Sequence, residues 1–402
     1  MNTAFEIAKK ISFQKQKKDT RFIVNLSIGA TAISVAAIIL TFSIVNGFQE
    51  MISKKVYSFW GQIRITGLNS TVLQQDDLYI QQLQNLPDVQ SVRPYITQTT
   101  VLSFKEEIEG VVAKAMPTAN KQPFLVTGRN IGEGINSNQD GNTRIAQEII
   151  ISTDLARKLN AKIGSELRLY FLSNGAVLQR KLKLVGLYHA GIDDYDQHFV
   201  MVDIKLIQQL AVNSKSIEGY TIETKPKADS KKILKQIQSS LPTNSIATSI
   251  EDNYPQLFDW INVQNVNRNV TITIMLIIAI VNLLTCLFIL MLERINMIGT
   301  LTAIGASHQL LRKIFLYQAL FISSAGIILG SIVGIGLSLL QQSTGWITLD
   351  ESAYFMKELP IHMDPVQIIL IIAFTAIICY FSFLLPTLWI KKISPAKSIR
   401  FD

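Results

Sequence analysis

The sequence predicts a membrane α-helical protein with four transmembrane helices in a 1+3 arrangement and a large α+β domain inserted between helices 1 and 2. Four stretches contain no charged residue, at 22–49, 269–292, 314–349 and 365–390. Each stretch can cross the hydrocarbon core, because about 20 apolar residues span it as a helix. The rest of the 402-residue chain carries 38 basic and 30 acidic residues, which is too much charge for a protein buried wholly in lipid.

The composition excludes two other classes of protein. Apolar residues make up 48% of the chain and the mean hydropathy is +0.28, so the chain is not intrinsically disordered. It has two cysteines, too few for a disulfide scaffold. Both of them, Cys286 and Cys379, fall within predicted membrane helices, where we expect them to pack.

The charged residues predict an orientation in the membrane. Segment 1–21 has six basic and two acidic residues, 293–313 has three and one, and 391–402 has four and one, whereas 341–365 has one basic and four acidic residues. The positive-inside rule therefore predicts cytoplasmic termini and a cytoplasmic 293–313 connection, with the inserted domain outside. The net charge of +8 follows from this topology, so no nucleic-acid-binding surface is predicted.

These observations divide the chain into consecutive segments. The first apolar run is too long for a cleavable signal peptide, and we interpret it as a retained signal anchor. The predicted segments are a cytoplasmic N-terminus (1–21), helix 1 with the start of a stalk (22–48), the inserted domain (49–268), helix 2 (269–292), a cytoplasmic coupling segment (293–313), helix 3 (314–340), an outer loop (341–365), helix 4 (366–390) and a cytoplasmic tail (391–402).

The inserted domain reads as α+β. Alternating apolar and polar residues predict strands, and apolar residues at helical spacing predict helices. A loop rich in Asn, Gly and Gln at 118–143 divides the domain into two possible subdomains. The predicted strands are 62–66, 99–104, 111–115, 148–152, 167–171, 181–185, 199–202 and 220–224, and the predicted helices are 76–86, 154–159 and 230–241. Helical spacing on both sides of the domain also predicts stalks that continue beyond the membrane.

Signals for catalysis or metal binding are weak. The sequence has no phosphate-binding loop and no Gly-Lys pair. Its four histidines lack metal-ligand spacing, and we expect the Asp193, Asp194 and Asp196 group to be an ordinary acidic turn. We therefore predict no catalytic residue, no metal and no cofactor in this chain.

The cytoplasmic segment carries the most informative pattern. Met297, Ile298, Leu301 and Ile304 form an apolar stripe, and a Gly-Ala-Ser break at 305–307 follows it. Such a stripe in the cytosol must be covered. It could lie on lipid headgroups, or it could dock a partner subunit.

Short motifs occur in order along nearly the whole chain. They are Val45-Asn46-Gly47-Phe48-Gln49 at the end of helix 1, Gly186–Asp196 in the domain, Glu293, Ile298, Leu301, Gly305, Ala306 and Ser307 in the cytoplasmic segment, and Tyr354–Phe355, Leu359–Pro360, Asp364–Pro365 and Pro395–Ala396 near the end. In these motifs and in its helix arrangement the sequence resembles the transmembrane subunits of the MacB/FtsX class of ABC transporters, and more narrowly the LolC/LolE lipoprotein-releasing permeases.

The resemblance implies a non-catalytic permease subunit in the bacterial inner membrane. It implies a separate LolD-like ATPase, which binds ATP and Mg²⁺ and docks on Glu293, Met297, Ile298, Leu301, Ile304, Gly305 and Ala306. It also implies a second LolC/LolE-like subunit, identical or paralogous, a lipoprotein substrate drawn from membrane lipid, and a LolA-like periplasmic carrier. In LolC a protruding hairpin recruits the carrier, and the matching turn here is Ser173–Asn174–Gly175, which is shorter and lacks a proline.

Three further sets of residues have open interpretations. Gly326, Gly330 and Gly334 permit close helix packing, within this subunit or between subunits. Asn46 and Asn282 either cross-link helices or line a lipoprotein cavity. The function expected from the resemblance is ATP-driven lipoprotein release. The alternatives are an export permease like MacB for peptides or small molecules, and an FtsX-like scaffold that activates a cell-wall hydrolase.

Overall fold

The computed structural model describes residues 18–117, 124–133, 146–173, 176–210, 215–226, 228–242 and 244–383. Its helices are α1 (Lys18–Trp60), α2 (Asp77–Gln84), α3 (Thr153–Lys158), α4 (Asp193–His198), α5 (Ile204–Gln208), α6 (Ser230–Gln238), α7 (Ile250–Asn253), α8 (Pro255–Glu293), α9 (Ile295–Ala303), α10 (His308–Thr344), α11 (Glu351–Tyr354) and α12 (Pro365–Ser382). Its strands are β1 (Ile63–Gly67), β2 (Leu73–Gln74), β3 (Val89–Phe104), β4 (Glu107–Met116), β5 (Leu125–Gly128), β6 (Glu148–Ser152), β7 (Glu166–Ser173), β8 (Ala176–Tyr188), β9 (Phe199–Asp203), β10 (Ser216–Ile217), β11 (Gly219–Thr224) and β12 (Ser245–Ser249).

The chain forms two compact units. The membrane unit comprises Met1–Glu50, Trp260–Thr348 and Glu358–Asp402, and the inserted unit comprises Met51–Asp259 and Leu349–Lys357. Helices α1, α8, α10 and α12 are long and apolar enough to cross a membrane. The predicted fold class is confirmed: four long apolar helices, with an α+β domain between the first two.

The structure extends two of these helices past their charge-free cores. Helix α1 is continuous to Trp60 and α8 already begins at Pro255, because apolar residues at helical spacing continue on both sides of the domain. The coupling helix α9 is a separate short helix between α8 and α10.

The inserted unit is built around a closed ring of strands. Strand β3 pairs with β4, β4 with β9, β9 with β6, β6 with β8, β8 with β7, and β7 again with β3. These six strands therefore form a small barrel. The first half of the long strand β3 leaves the barrel and pairs with β11, which continues the sheet through β1 to β12.

Strand alternation places the domain core inside this barrel. On β7, Leu167, Leu169 and Phe171 are all fully buried, while Arg168 between them is exposed. Helix α6 covers part of the same core with Ile233 and Ile237. Its N-terminus is stabilised by Asp229, whose side chain accepts hydrogen bonds from two backbone N–H groups in the first turn.

Candidate functional site

The glycines of α10 lie where helix α1 packs closest. A Cβ atom added at Gly330 would lie 2.5 Å from the carbonyl oxygen of Ala32, and one added at Gly326 would lie 2.8 Å from the Thr31 Cβ. The third glycine, Gly334, approaches Ala36 in the same way. These three glycines therefore set the distance between α1 and α10 within the membrane unit.

Two side-chain amides connect the membrane helices. Asn282 on α8 donates a hydrogen bond from Nδ2 to the Ser27 carbonyl of α1 at 3.1 Å. Asn46 on α1 donates from Nδ2 to Gln367 Oε1 of α12 at 2.8 Å, and its Oδ1 accepts from Arg268 Nη1 of α8 at 3.1 Å. Hydrogen bonds of this kind satisfy amides that would be costly in lipid.

The Asn-Gly-Phe motif lies at the end of the first apolar run. A chain segment that we call the strap, residues 358–363, packs against it. A Cβ atom at Gly47 would lie 2.3 Å from the Pro360 carbonyl oxygen. The His362 backbone N–H donates to the Ser43 carbonyl at 3.1 Å, and His362 Nδ1 lies 2.5 Å from Glu50 Oε2. Gly47 is therefore required by the close approach of the strap to α1.

The coupling segment has an inner side and an outer side. Ile298 is only 2% exposed and packs with Leu287 and Phe315 of the neighbouring membrane helices. Met297 and Leu301 are half-buried against the same cluster, whereas Ile304 is 80% exposed. The apolar surface that a partner could cover therefore lies at the Leu301–Ile304 end of the stripe.

The Gly-Ala-Ser break makes the tight turn between α9 and α10. Gly305 has φ +98° and stops α9, because this left-handed conformation strains other residues. Ala306 N donates to the Leu301 carbonyl at 2.9 Å. Ser307 then caps α10 by accepting the Leu310 N–H. Glu293 is exposed at the end of α8.

In the inserted unit, the end of α1 is held by an aromatic cluster. The Phe59 ring stacks on Tyr195 with 4.4 Å between centroids. Trp60 packs edge-on against Phe199 at 5.5 Å and stacks on Tyr254 at 6.3 Å. The Gly186–Asp196 motif thus supplies Tyr195, one of the residues that fix the end of the stalk.

Lys114 on β4 lies in the middle of this cluster and is fully buried. Its ammonium lies 3.9 Å from the Phe59 ring centroid and 4.2 Å from that of Trp60, and it donates to the Phe59 carbonyl. That carbonyl is in the last turn of α1, where the helix dipole and unpaired carbonyls attract a cation. Burial lowers the pKa of Lys114 well below its ordinary value.

In the second half of the Gly186–Asp196 motif, the side chain of Asp196 folds back and binds the backbone of the loop that precedes it. Asp196 is buried and accepts hydrogen bonds from the Ala190 and Gly191 N–H groups at 2.9 and 2.8 Å. Burial raises the pKa of Asp196, although these two bonds oppose the shift. Asp193 and Asp194 are exposed, so the three aspartates do not converge.

His189 connects this loop to the segment before the strap. Its Nε2 lies 2.5 Å from Glu351 Oε1, and its Nδ1 lies 3.3 Å from Asp196 Oδ2. Asp154, His189 and Asp196 have ligand atoms within 4.8 Å of one another. His189 and Asp196 are engaged by Glu351 and by backbone N–H groups, while Asp154 pairs with Arg157 at 2.9 Å. Sequence reasoning missed this group because Glu351 is far away in the chain.

The hairpin of β7 and β8 is paired as far as Ser173 and Ala176. Asn174 and Gly175 lie outside the described residues, so the structure describes only the backbone at Ser173 among the three predicted carrier contacts. The flanking cross-strand pair Leu172 and Val177 is 68% and 67% exposed. These two side chains are an exposed apolar surface that the sequence analysis did not single out.

Comparison with known families decides the kind of protein. Residues 26–240 match the model of the MacB-like periplasmic core domain, and residues 269–395 match that of the FtsX-like permease C-terminal region. The chain belongs to the MacB/FtsX permease family. A member of this family is a multi-pass membrane protein with a periplasmic domain and a transmembrane subunit of an ABC transporter, which implies a partner ATPase.

Curated relatives of this MacB/FtsX permease match it end to end at low identity. The lipoprotein-releasing system transmembrane protein LolC of Neisseria meningitidis is 22% identical, over 95% of this chain and 94% of the relative. LolC of Haemophilus influenzae is 21% identical over 100% of both chains, and LolE of the same organism is 18% identical over 99% of both. The solved periplasmic region of MacB from Actinobacillus actinomycetemcomitans covers 52% of this chain, with 14% identity and a TM-score of 0.35.

Proposed function

We propose that this permease is the transmembrane subunit of an ATP-driven complex that extracts outer-membrane lipoproteins from the inner membrane and passes them to a periplasmic carrier. The observation that carries the proposal is the full-length similarity to relatives named LolC, which covers both chains from end to end. In this role both termini are cytoplasmic, as the positive-inside rule predicts.

The proposed energy source is a separate LolD-like ATPase. It binds ATP and Mg²⁺, so the present chain contributes no catalytic residue and no cofactor site. The exposed Ile304 and the half-buried Leu301 are its proposed contacts, and Glu293, exposed at the end of α8, is a further one. Ile298 supports these residues from the inner side of α9. Gly305 and Ala306 contribute by setting the turn into α10.

Helix α1 is the proposed transmission element. It is one continuous helix from residue 18 to residue 60, and glycines of α10 pack against its membrane part. The proposed signal is a rotation of α1, and Phe59 and Trp60 at the end of the helix are the residues proposed to receive it. Because Lys114 holds these two residues, the rotation would be transmitted to strand β4.

The proposed carrier contact is the apolar pair Leu172 and Val177 beside the β7–β8 turn. Exposed apolar side chains on a paired hairpin suit protein recognition. A photocrosslinker at Leu172 should trap a LolA-like carrier if the hairpin recruits it. Crosslinking only to a paralogous permease subunit would instead assign the chain the LolE-like role.

Two other functions stay open within the family. A MacB-like export permease would move peptides or small molecules through an outer-membrane channel, and an FtsX-like scaffold would activate a cell-wall hydrolase. Affinity purification of the native complex separates the three functions by the periplasmic partner recovered. A LolA-like carrier supports our proposal, whereas a channel protein or a hydrolase in its place contradicts it.

A further inference from the structure

One segment of the loop between α10 and α12 belongs to the inserted unit. We call this segment the clasp, residues 349–357, and it contains α11. Met356 of the clasp is only 5% exposed, and Phe355 packs against the cluster at the end of α1. A Cβ atom added at Gly191 would lie 3.0 Å from Glu351 Oε1. The clasp is therefore docked closely on the loop that carries Gly191.

His189 joins the clasp to the rest of the inserted unit, and both of its ring nitrogens face carboxylate oxygens. Nε2 lies 2.5 Å from Glu351 Oε1, and Nδ1 lies 3.3 Å from Asp196 Oδ2. The Thr153 hydroxyl is 3.4 Å from Nδ1. A neutral imidazole has one N–H group and can donate to only one of the two carboxylates, whereas an imidazolium donates to both. The geometry therefore fits a protonated ring.

A third carboxylate lies beside the same ring. Ligand atoms of Asp154, His189 and Asp196 are within 4.8 Å of one another. Asp154 is paired with Arg157 at 2.9 Å, but Arg157 is 80% exposed, and water weakens such a pair. Protonation of His189 is therefore the event that places a cation among these carboxylates.

Two ammonium groups lie on the clasp side of the histidine. Lys357 Nζ is 3.6 Å from Glu351 Oε2, and Lys55 of α1 donates to the Phe355 carbonyl. Burial acts to raise the pKa of Glu351, but the hydrogen bond from His189 and these two cations outweigh it, so this pKa lies below its ordinary value. Glu351 therefore keeps its negative charge at neutral pH.

We propose that His189 is a pH-sensitive contact that holds the clasp: its imidazolium binds Glu351 at mildly acidic pH, and loss of the ring proton weakens the docking. Histidine is the side chain whose charge ordinarily changes between about pH 5 and 8. Hydrogen bonds between charged groups are about twice as strong as those between neutral groups. Docking of the clasp should therefore weaken as the pH rises through this range, whichever cargo the permease moves.

The test is the accessibility of a buried clasp side chain in the full-length protein in detergent. Met356→Cys is introduced after Cys286 and Cys379 are replaced by alanine, and its rate of thiol labelling is measured. Ala353→Cys, at an exposed position of the clasp, is measured in parallel, because it reports the direct effect of pH on a thiol. We expect the ratio of the two rates to rise roughly ten-fold from pH 6 to pH 8.

Substitutions at both ends of the contact test the assignment. His189→Gln carries no charge at any pH, so its labelling ratio should be high and independent of pH. Glu351→Gln keeps an acceptor for Nε2 but removes the negative charge, and it should show the same loss of pH dependence. The matched controls are His198→Gln, at an exposed position at the end of α4, and His362→Gln in the strap. Both should keep the ten-fold rise.

Three results would overturn the proposal. The first is a ratio that does not change with pH while His189 is present, or an equal rise in His189→Gln. If His189→Gln does not fold, an equal rise in Glu351→Gln decides in the same way. The second is loss of the rise in His362→Gln alone, which would place the pH-sensitive group in the strap. The third is a rise at constant pH 6 on addition of EDTA, which would show that a bound cation and not a proton joins these carboxylates.

Discussion

The ammonium nitrogen of Lys114 lies 3.9 Å from the centroid of the Phe59 ring, inside the inserted unit. Lys114 belongs to barrel strand β4, whereas Phe59 is in the last turn of α1, which begins in the membrane unit. Within the inserted unit, this buried cation joins the aromatic cluster in holding the last turn of α1 against barrel strand β4.

This contact predicts a pH dependence of stability. Burial lowers the pKa of Lys114 in the folded protein, while the unfolded chain has an ordinary value near 10.5. Between these two values the unfolded state binds more protons, so the free energy of unfolding should rise with pH. Lys114→Met should reduce this slope, measured by denaturant unfolding of the detergent-solubilised protein at a series of pH values below 10.

Part of the rise of the unfolding free energy with pH should remain in the Lys114→Met variant. Burial also lowers the pKa of Lys55, which contributes with the same sign. Lys55 donates a hydrogen bond to the Phe355 carbonyl at 2.5 Å, and no hydrogen bond or ion pair among the described residues joins it to Lys114. An identical slope in wild type and Lys114→Met would show that Lys114 does not titrate in this way.

The strap predicts a steric effect at Gly47. Alanine there would place Cβ 2.3 Å from the Pro360 carbonyl oxygen, whereas alanine at Gly29 of the same helix would meet nothing within 4 Å. Gly47→Ala should therefore destabilise the protein by about 1–3 kcal/mol. Gly29→Ala should be neutral or stabilising by up to about 1 kcal/mol. Thermal unfolding in detergent measures the stability of both variants. An equal change in stability in Gly47→Ala and Gly29→Ala would rule out a tight strap contact.

A substitution at the exposed end of the coupling segment should block binding of the partner ATPase without preventing folding of the permease. Ile304→Asp places a charge on the exposed end of the stripe, so it should abolish co-purification of the partner ATPase while the protein still inserts in the membrane. Leu301→Asp should act in the same direction. The control is Asn296→Asp, which places the same charge at an exposed position at the other end of the same short helix. Normal ATPase recovery with Ile304→Asp would place the docking surface elsewhere.

The orientation predicted from charge can be tested by labelling. Single cysteines at Glu106, in the exposed β3–β4 turn, and at Gln309, exposed at the start of α10, are introduced after Cys286 and Cys379 are replaced by alanine. An impermeant thiol reagent should label Glu106→Cys in cells with a permeabilised outer membrane and should spare Gln309→Cys. The opposite labelling would reverse the assigned topology.

Local patterns predicted much of the fold because each depends on neighbouring residues. Charge-free runs located the four membrane helices, and alternation located strands such as β6, whose observed bounds Glu148–Ser152 equal the predicted ones. The barrel could not be predicted, since it closes through the pairing of β3 with β7, two strands distant in the chain.

The site was less predictable for a related reason. The Asn-Gly-Phe motif was visible in the sequence. The reason for its glycine is the close approach of Pro360, which is far away in the chain. Lys114 lies in the predicted strand 111–115, and no sequence pattern singled it out. A lysine on the outer face of a strand is buried here because the end of α1 covers it, and no local pattern encodes that contact.

The measurement that tests the central claim most directly is lipoprotein transfer from proteoliposomes. The permease is reconstituted with its co-purifying ATPase and second subunit, a triacylated lipoprotein is included in the bilayer, and the periplasmic carrier is added outside. Our account predicts ATP-dependent appearance of lipoprotein on the carrier, and loss of transfer with Ile304→Asp but not with Asn296→Asp. An assembled complex that hydrolyses ATP yet transfers no lipoprotein would contradict the proposed function.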